Sequence, residues 1–234
     1  MNIIVTGASR GIGAEIVKTL SKHKGNHIVA ISRNGEALRN MISECGKPLN
    51  DTSVIAAEFD LSQFDFYPFL FQKVETAFRS CDILINNAGK LINKPFEKME
   101  QQDFDDMFNL NVKSPFFLIR QFLPMMSNGA HILNISSMGG IQGSKKFKGL
   151  SLYSASKGAL AVLTEALAEE LSEKNISVNC LALGATQTEM FEKAFPGMKA
   201  LQTPQQMAQF VADFAVSGHK YINGKVIPVS ISVP

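Results

Sequence analysis

No run of about 18 apolar residues occurs in this chain, and no basic-then-apolar leader precedes its first strand-like segment. The expectation is a soluble cytoplasmic protein that makes no membrane contact. Charge of one sign is lacking too. Lys and Arg number 23 against 21 Asp and Glu, for a formal net charge of +2. That balance gives no reason to expect nucleic acid or an acidic membrane as a partner. Cysteine is scarce: Cys45, Cys81 and Cys180 are odd in number, far apart and flanked by apolar residues. Buried thiols in a reducing compartment are expected rather than disulfides. The four histidines make no convincing metal site. His23 and His27 are four apart, but Gly25 interrupts any helix that would align them. Internal repeats, low-complexity tracts and linkers are also absent, so residues 1–234 are read as one domain.

What the chain does contain is an alternation of strand and helix signals, with apolar residues at 45% and charged ones at 19%. Strands are read at Ile3–Val5, His27–Ile31, Ser53–Phe59, Asp82–Asn86, Ala130–Ile135, Ile176–Leu183 and Lys225–Val229. Helices are read from Ile12 to Lys22, at Gly35–Cys45, Phe64–Arg79, Asp103–Met126 with an interruption near Ser114-Pro115, Ser151–Glu173, and Pro204 to about Val216. Gly184 to Gln202 reads as irregular. The pattern predicts an α/β fold: a doubly wound (Rossmann) three-layer sandwich with a mostly parallel sheet of about seven strands. In such a fold ligand groups sit in the turns after the strands' carboxyl ends, and the short motifs of this chain fall on such ends.

After the first strand come Thr6-Gly7-Ala8-Ser9-Arg10-Gly11-Ile12-Gly13. Gly7, Gly11 and Gly13 allow a tight turn, close approach of a ligand, and packing of the following helix on the strand. The helix N-terminus offers free N–H groups and partial positive charge to a pyrophosphate. The spacing is G-x-x-x-G-x-G, and by itself it also fits a plain structural turn. Farther on, Tyr153 and Lys157 stand four apart on a helix and so share a side. They read either as a surface pair or as an acid–base pair. In the second case the ammonium lowers a phenol that ordinarily titrates near 10, fitting it to give a proton to a carbonyl oxygen or take one back. Ser137, ending the fifth strand, is placed to hydrogen-bond the same oxygen. Asn111 lies mid-helix, where Asn has poor propensity. It either caps a break before Pro115 or holds a water that relays protons to Lys157.

Taken together these segments resemble the short-chain dehydrogenase/reductase family, in its compact single-domain form. The matching pieces are the glycine turn from Thr6 to Gly13, Asp60-Leu61, Asn86-Asn87-Ala88-Gly89, Asn111-Val112, Ile135-Ser136-Ser137, Tyr153-Ser154-Ala155-Ser156-Lys157 and Val178-Asn179. They keep the family's order and cover nearly the whole chain. The resemblance implies a catalytic tetrad of Asn111, Ser137, Tyr153 and Lys157, with Tyr153 and Lys157 touching the nicotinamide ribose. It also implies Asp60 and Leu61 beside the adenine, and Asn87, Ala88 and Gly89 along the adjacent ribose. Thr188, with Thr186 nearby, would contact the nicotinamide amide or a phosphate beside Gly184.

The segment after the second strand is Ser32-Arg33-Asn34 and holds no acid. An acid there binds the ribose hydroxyls of NAD, whereas Arg accommodates the 2′-phosphate of NADP. Arg33, with Arg10 and the Ser9 turn, therefore points to NADP(H) through charge-assisted bonds. The long helices bearing Asn111 and Tyr153 resemble those of the family's subunit interface, so a homodimer or homotetramer is expected. Met138, Ile141, Leu183, Met190, Phe191 and Phe195 are candidates for an apolar cleft that takes a small or medium carbonyl or alcohol substrate.

Three departures from the family pattern stand out. Leu183-Gly184 replaces Pro-Gly. The loop before Tyr153 is longer and carries Lys145, Lys146 and Lys148, read as either solvated or meeting an anionic substrate. Ser230-Ile231-Ser232 replaces an Asp-Gly-Gly ending, which puts the usual tetramer packing in doubt. Competing readings are weaker. Gly7-Ala8-Ser9-Arg10-Gly11 fits the nucleophile elbow of an α/β-hydrolase, but no strand precedes it and His219 is the one late histidine. Ser154-Ala155-Ser156-Lys157 fits S-x-x-K, but no K-T-G follows. A non-catalytic NADP-binding redox sensor or scaffold is the alternative from another class. It has no need of Tyr153 or Ser137.

Overall fold

Ile3, Ile4 and Val5 are all shielded from solvent, yet they point into different cores. In the computed structural model, which describes residues 1–46 and 51–231, Ile3 and Val5 join one apolar cluster and Ile4 joins another. Ile28 and Ala30 likewise part from Val29 and Ile31. A strand covered on both faces is an unbroken apolar run, which is why no alternation shows in the sequence.

Seven parallel strands make one sheet: β1 Asn2–Thr6, β2 His27–Ser32, β3 Ser53–Glu58, β4 Cys81–Asn86, β5 Met126–Ser137, β6 Ser177–Leu183 and β7 Val226–Val229. Their order is β3-β2-β1-β4-β5-β6-β7, so the winding reverses between β1 and β4. Helices α1 (Gly11–Leu20) and α2 (Gly35–Glu44) cover one face, with α8 (Pro204–Ser217) beside them. Helices α3 (Tyr67–Ala77), α5 (Ser114–Phe122) and α6 (Ser151–Glu170) cover the other. The remaining two, α4 (Gln101–Phe108) and α7 (Glu189–Ala194), lie in long connections near the strands' carboxyl ends. This is the expected doubly wound three-layer fold.

The details differ from the sequence reading in several places. The strand expected at Ala130–Ile135 begins at Met126. Cys81 pairs with Met126 and Ile83 with His131, so β5 carries extra residues that bulge around Gly129, at φ 85°. The polar Ser127-Asn128 conceal that extension. The helix expected over Asp103–Met126 is two helices joined by a π-turn, Asn109–Lys113. Pro115 sits in the first turn of α5, where its missing N–H costs nothing. Phe64–Phe66 forms a 3₁₀ turn before α3, and α6 stops at Glu170 instead of Glu173. A 3₁₀ turn and Asn175, at φ 52°, then lead into β6. The stretch expected to be irregular from Gly184 contains α7, capped by Thr188, whose Oγ1 accepts from the Phe191 N–H at 3.2 Å. Ser232 lies outside the described residues.

Midway along β5, opposite the first residue of β6, His131 is wholly buried. Its Nδ1 lies 2.8 Å from the Ala215 carbonyl and its Nε2 3.2 Å from the Asn179 amide. The Asn179 amide also donates to the Ile222 carbonyl, and the His219 ring packs 5.0 Å away. Burial pushes the His131 pKa from 6.5 down to about 4, and the neighbouring His219 adds to the shift. The folded chain keeps this ring neutral while the unfolded chain protonates it below its ordinary pKa. Its stabilisation is therefore complete above 6.5 and is lost as pH falls toward 4. Urea unfolding should show wild type losing about 3 kcal/mol more than His131→Gln between pH 7 and pH 4. Equal losses would remove His131 as the cause.

Candidate functional site

The reversal of strand order brings the turns after β1 and β4 into contact. Thr6 Oγ1 accepts from the Asn87 and Ala88 N–H groups, each at 3.0 Å, and Asn87 Nδ2 donates back to the Thr6 carbonyl at 3.0 Å. Gly7, at φ 66°, leaves no room for a side chain: a Cβ there would lie 2.8 Å from Ala88 Cα. A Cβ on Gly13 would strike the Gly7 carbonyl and the Asn87 amide. The glycine turn is thus required by packing as well as by any ligand. Helix α1 then opens with no side-chain cap from Arg10 and no acid in its first turn. Its first N–H groups and positive dipole end are directed at the turn, as a phosphate acceptor requires. Ile12 packs against the core on the α1 side.

Asn111 is wholly buried in the π-turn. Its Oδ1 accepts from the Lys90 N–H at 2.8 Å, and its Nδ2 donates to the Lys90 carbonyl and to Ser156 Oγ, both at 2.9 Å. Ser156 Oγ in turn donates to the Tyr153 carbonyl at 2.8 Å. Asn111 therefore ties the loop after β4 to α6 and caps no helix break. Lys157 is also buried; its Nζ donates to the Ile135 carbonyl at 2.8 Å. A Cβ on Gly89 would sit 3.3 Å from both Asn111 Oδ1 and Lys157 Nζ. These two polar atoms thus close over that glycine and leave little room for a side chain there. Ser136 Oγ donates to the Lys157 carbonyl at 2.8 Å, and Gly140 packs its backbone onto Lys157 and Gly158. That contact holds the end of β5, with Ser137, against the helix that carries Tyr153.

The electrostatics correct one expectation. Burial pushes the Tyr153 phenol above its ordinary value, and it is the Ser137 hydroxyl that pulls it back down. The Lys157 ammonium lies 6.0 Å from the Tyr153 ring centroid, is bonded to Ile135, and is itself pushed down by burial to about 8.

The other candidates lie at the expected strand ends, several of them with local duties. Ser32 Oγ donates to Ser9 Oγ at 2.8 Å, joining the end of β2 to the glycine turn. Arg33 is exposed, and Asn34 caps α2 by accepting from the Ala37 N–H at 2.9 Å. Glu58, beside Ser32 on β3, faces Arg39 at 3.7 Å. Asp60 accepts from the Ser62 N–H and hydroxyl. Leu61 is core, and its carbonyl accepts from Tyr67 Oη at 2.8 Å. Gly184 packs on Ser230, 2.6 Å from where its Cβ would be, so two of the departures from the family pattern touch. Thr186 is buried and bridges to Gln202. The Thr188 methyl lies 3.6 Å from the Cβ position of Gly11. Leu183, a candidate for the cleft, belongs to the core.

Two features escaped the sequence reading. Arg10 is paired with Glu189, at 2.6 Å, across the junction of turn and α7. An aromatic chain also runs from Phe191 through Phe195 to Phe147, at centroid separations of 5.2 and 5.7 Å. Asn93 donates to the Ala194 carbonyl at 2.7 Å, and the Lys94 N–H to the Gly149 carbonyl at 3.1 Å. These contacts stitch together the loop after β4, the loop before α6 and α7. The serine-hydrolase arrangement is not formed, because Ser9 bonds Ser32 whereas His219 stacks on His131, midway along β5.

The short chain dehydrogenase family model matches residues 1–199. The hydroxynaphthalene reductase-like protein Arp2 of Metarhizium acridum is 28% identical over 251 residues, covering 96% of this chain and 91% of that protein. A short-chain dehydrogenase from Burkholderia cenocepacia, solved in complex with NADP, superposes with a TM-score of 0.84 at 26% identity, covering 97% of this chain and 95% of the other. The 3-ketoacyl-(acyl-carrier-protein) reductase from Brucella melitensis, complexed with NADH, also gives 0.84 at 26% identity, covering 97% and 96%. Among the described residues no helix is long and apolar enough to cross a membrane.

Ser156 gives a direct test of how the site is braced. Ser156→Ala leaves the buried Asn111 amide one acceptor short, so urea unfolding should show a loss of about 1–3 kcal/mol. An unchanged midpoint would show that the bond does not hold Asn111.

Proposed function

This chain belongs to the short-chain dehydrogenase/reductase family, and on that premise we propose that it is an NADP(H)-dependent oxidoreductase interconverting a small or medium carbonyl compound and its alcohol. The observation that carries this reading is the meeting over Gly89 of an amide oxygen and a buried ammonium from two helical segments, with the Tyr153 phenol and its Ser137 partner beside them. An ammonium buried with no carboxylate partner among the described residues suits a ligand hydroxyl or a water. When bound, the dinucleotide supplies or accepts the hydride. Tyr153 gives its proton to the carbonyl oxygen in reduction and takes it back in oxidation. Ser137, beside the phenol, donates a hydrogen bond to that oxygen. Lys157 and Tyr153 hold the nicotinamide ribose, and Asn111 orients the water through which Lys157 exchanges protons.

The rest of the dinucleotide falls to the turns. Gly7, Ser9, Gly11, Ile12 and Gly13 cradle the pyrophosphate at the N-terminus of α1. Asp60 and Leu61 flank the adenine, and Asn87, Ala88 and Gly89 flank its ribose. Gly184, Thr186 and Thr188 border the nicotinamide. Related structures hold NADP in one case and NADH in another, so the preference rests on this chain's own residues. Ser32-Arg33-Asn34 offers a cation and no acid, with Arg10 nearby, which favours the 2′-phosphate.

The aromatic chain of Phe147, Phe191 and Phe195, with Met138 and Ile141, makes the wall for an apolar carbonyl substrate, aromatic ketones and quinones among them. A hydroxynaphthalene reductase-like relative is consistent with that class. We place the protein in the cytoplasm, where its three free thiols stay reduced. A second copy covers the exposed Phe104, Phe116 and Val162 of α4, α5 and α6, giving a homodimer or homotetramer. Gel filtration should therefore show a mass at least twice 25.6 kDa; a single species at the monomer mass would contradict it.

The deciding experiment is NADPH oxidation against a panel of aldehydes, ketones and quinones. Tyr153→Phe should lower turnover by about 10²–10⁴-fold and leave NADPH binding intact. Arg33→Asp should lower the NADPH-over-NADH preference by about tenfold to hundredfold. Turnover that survives Tyr153→Phe would sink the mechanism. Tight NADPH binding with no turnover across the panel would favour the redox-sensor alternative.

A further inference from the structure

We propose that Glu189 is a specificity-determining residue: its carboxylate competes with a 2′-phosphate for Arg10, so that only the phosphorylated dinucleotide has to displace it. The inference rests on the dinucleotide reading above and goes one step beyond it.

Three observations carry it. First, Glu189 is fixed and Arg10 is not. Thr188 packs its methyl against Gly11 and caps α7, which sets the first residue of that helix beside the glycine turn. Arg10 reaches Glu189 with a long side chain that is 66% exposed. Second, Glu189 is bound twice. Its Oε2 lies 2.6 Å from Arg10 Nη1, and its Oε1 lies 2.5 Å from Lys193 Nζ one turn along α7. When Arg10 leaves, Lys193 remains, so the carboxylate is not stranded and the exchange is cheap. Third, the hydrogen bond from Ser32 to Ser9 puts the end of β2 next to the turn that carries Arg10. A phosphate held at Ser32-Arg33-Asn34 therefore approaches Arg10, whose five donors favour a phosphate over a single carboxylate.

The consequence is a bias against the phosphorylated dinucleotide. Its 2′-phosphate has to draw Arg10 away from Glu189. A 2′-hydroxyl does not. Because coupling is reciprocal, whatever the phosphate loses to Glu189 is also lost from the docking of α7. NADPH therefore loosens α7 where NADH does not. This links cofactor choice to the helix that carries Phe191 toward the cleft.

Equilibrium binding of NADPH and of NADH, followed by the fluorescence of the dinucleotide on the full chain, tests this in wild type, Glu189→Gln, Arg10→Gln and the double variant. An exposed ion pair is weak, so Glu189→Gln should tighten NADPH by about two- to fivefold. NADH binding should stay unchanged. In the Arg10→Gln background the gain should vanish. Amide exchange over 189–194 gives a second readout: faster with NADPH than with NADH in wild type, and equal in Glu189→Gln. No tightening, equal tightening for both dinucleotides, a gain that persists without Arg10, or equal exchange in wild type would each overturn the proposal. A wild-type chain that binds neither dinucleotide would instead overturn the oxidoreductase reading on which it rests.

Discussion

Two turns meet at the centre of this molecule with only a hydroxyl and an amide side chain joining them. Thr6-Gly7 meets Asn87-Ala88 where the strand order reverses, and one hydroxyl, Thr6 Oγ1, accepts from two successive N–H groups of the other turn. A parallel sheet that winds both ways must open a crevice at that point, because consecutive connections leave toward opposite faces. Here the crevice floor is pinned to within van der Waals contact, since a Cβ on Gly7 would lie 2.8 Å from Ala88 Cα. The pinning aims the N-terminus of α1 along one side of the crevice. Along the other it sets Gly89, over which Asn111 Oδ1 and Lys157 Nζ meet. Had the crossing been looser, neither the start of α1 nor that contact would have a fixed geometry.

Around that floor lies a layer of buried polar groups, costly unless satisfied. Asn86 donates to Asn134 at 2.8 Å, and Asn134 donates to Thr164 Oγ1 at 2.9 Å, which locks β4, β5 and α6 together beneath the site. Asn111 spends both ends of its amide on Lys90 and Ser156, and Lys157 hangs from the Ile135 carbonyl. Each of these side chains reaches from one element to another, so the polar layer fixes relative positions that apolar packing alone would leave adjustable. The π-turn belongs to the same arrangement. Widening the helix by one residue lets Asn111 face the loop after β4 while α4 and α5 keep a common direction.

The fold was legible because its strands are short β-branched runs covered on both faces, and because its turns carry glycines where backbones touch. That Tyr153 and Lys157 share a helix and that Ser137 ends β5 was legible because helical spacing and an apolar run are local signals. Other features have no local signature. Met126 to Gly129 extends β5 only through pairing with Cys81, and no pattern in Met126-Ser127-Asn128-Gly129 announces it. Helix α7 is six residues long, too short for a periodicity to show, and depends on the Thr188 cap. The Arg10–Glu189 pair spans 179 positions and is a matter of tertiary placement alone. Residue type and turn point Arg10 at a phosphate and give no sign of the carboxylate beside it.

The pairing of Tyr153 with Lys157 shows most clearly how burial reshapes a motif. Spacing alone places an ammonium under a phenol and expects the phenol to become the stronger acid. In the folded chain the same burial acts on both groups, and it acts in opposite directions, because it disfavours an anion and a cation alike. The phenol rises above its ordinary value and the ammonium falls to about 8. Lys157 is then the stronger acid of the two. The Ser137 hydroxyl, at the end of β5, is what pulls the phenol back, while the ammonium one helical turn along is taken up by the Ile135 carbonyl. A spacing of four thus brings the two groups to one side of α6 without bonding one to the other, and the strand end next to them decides which partner each receives.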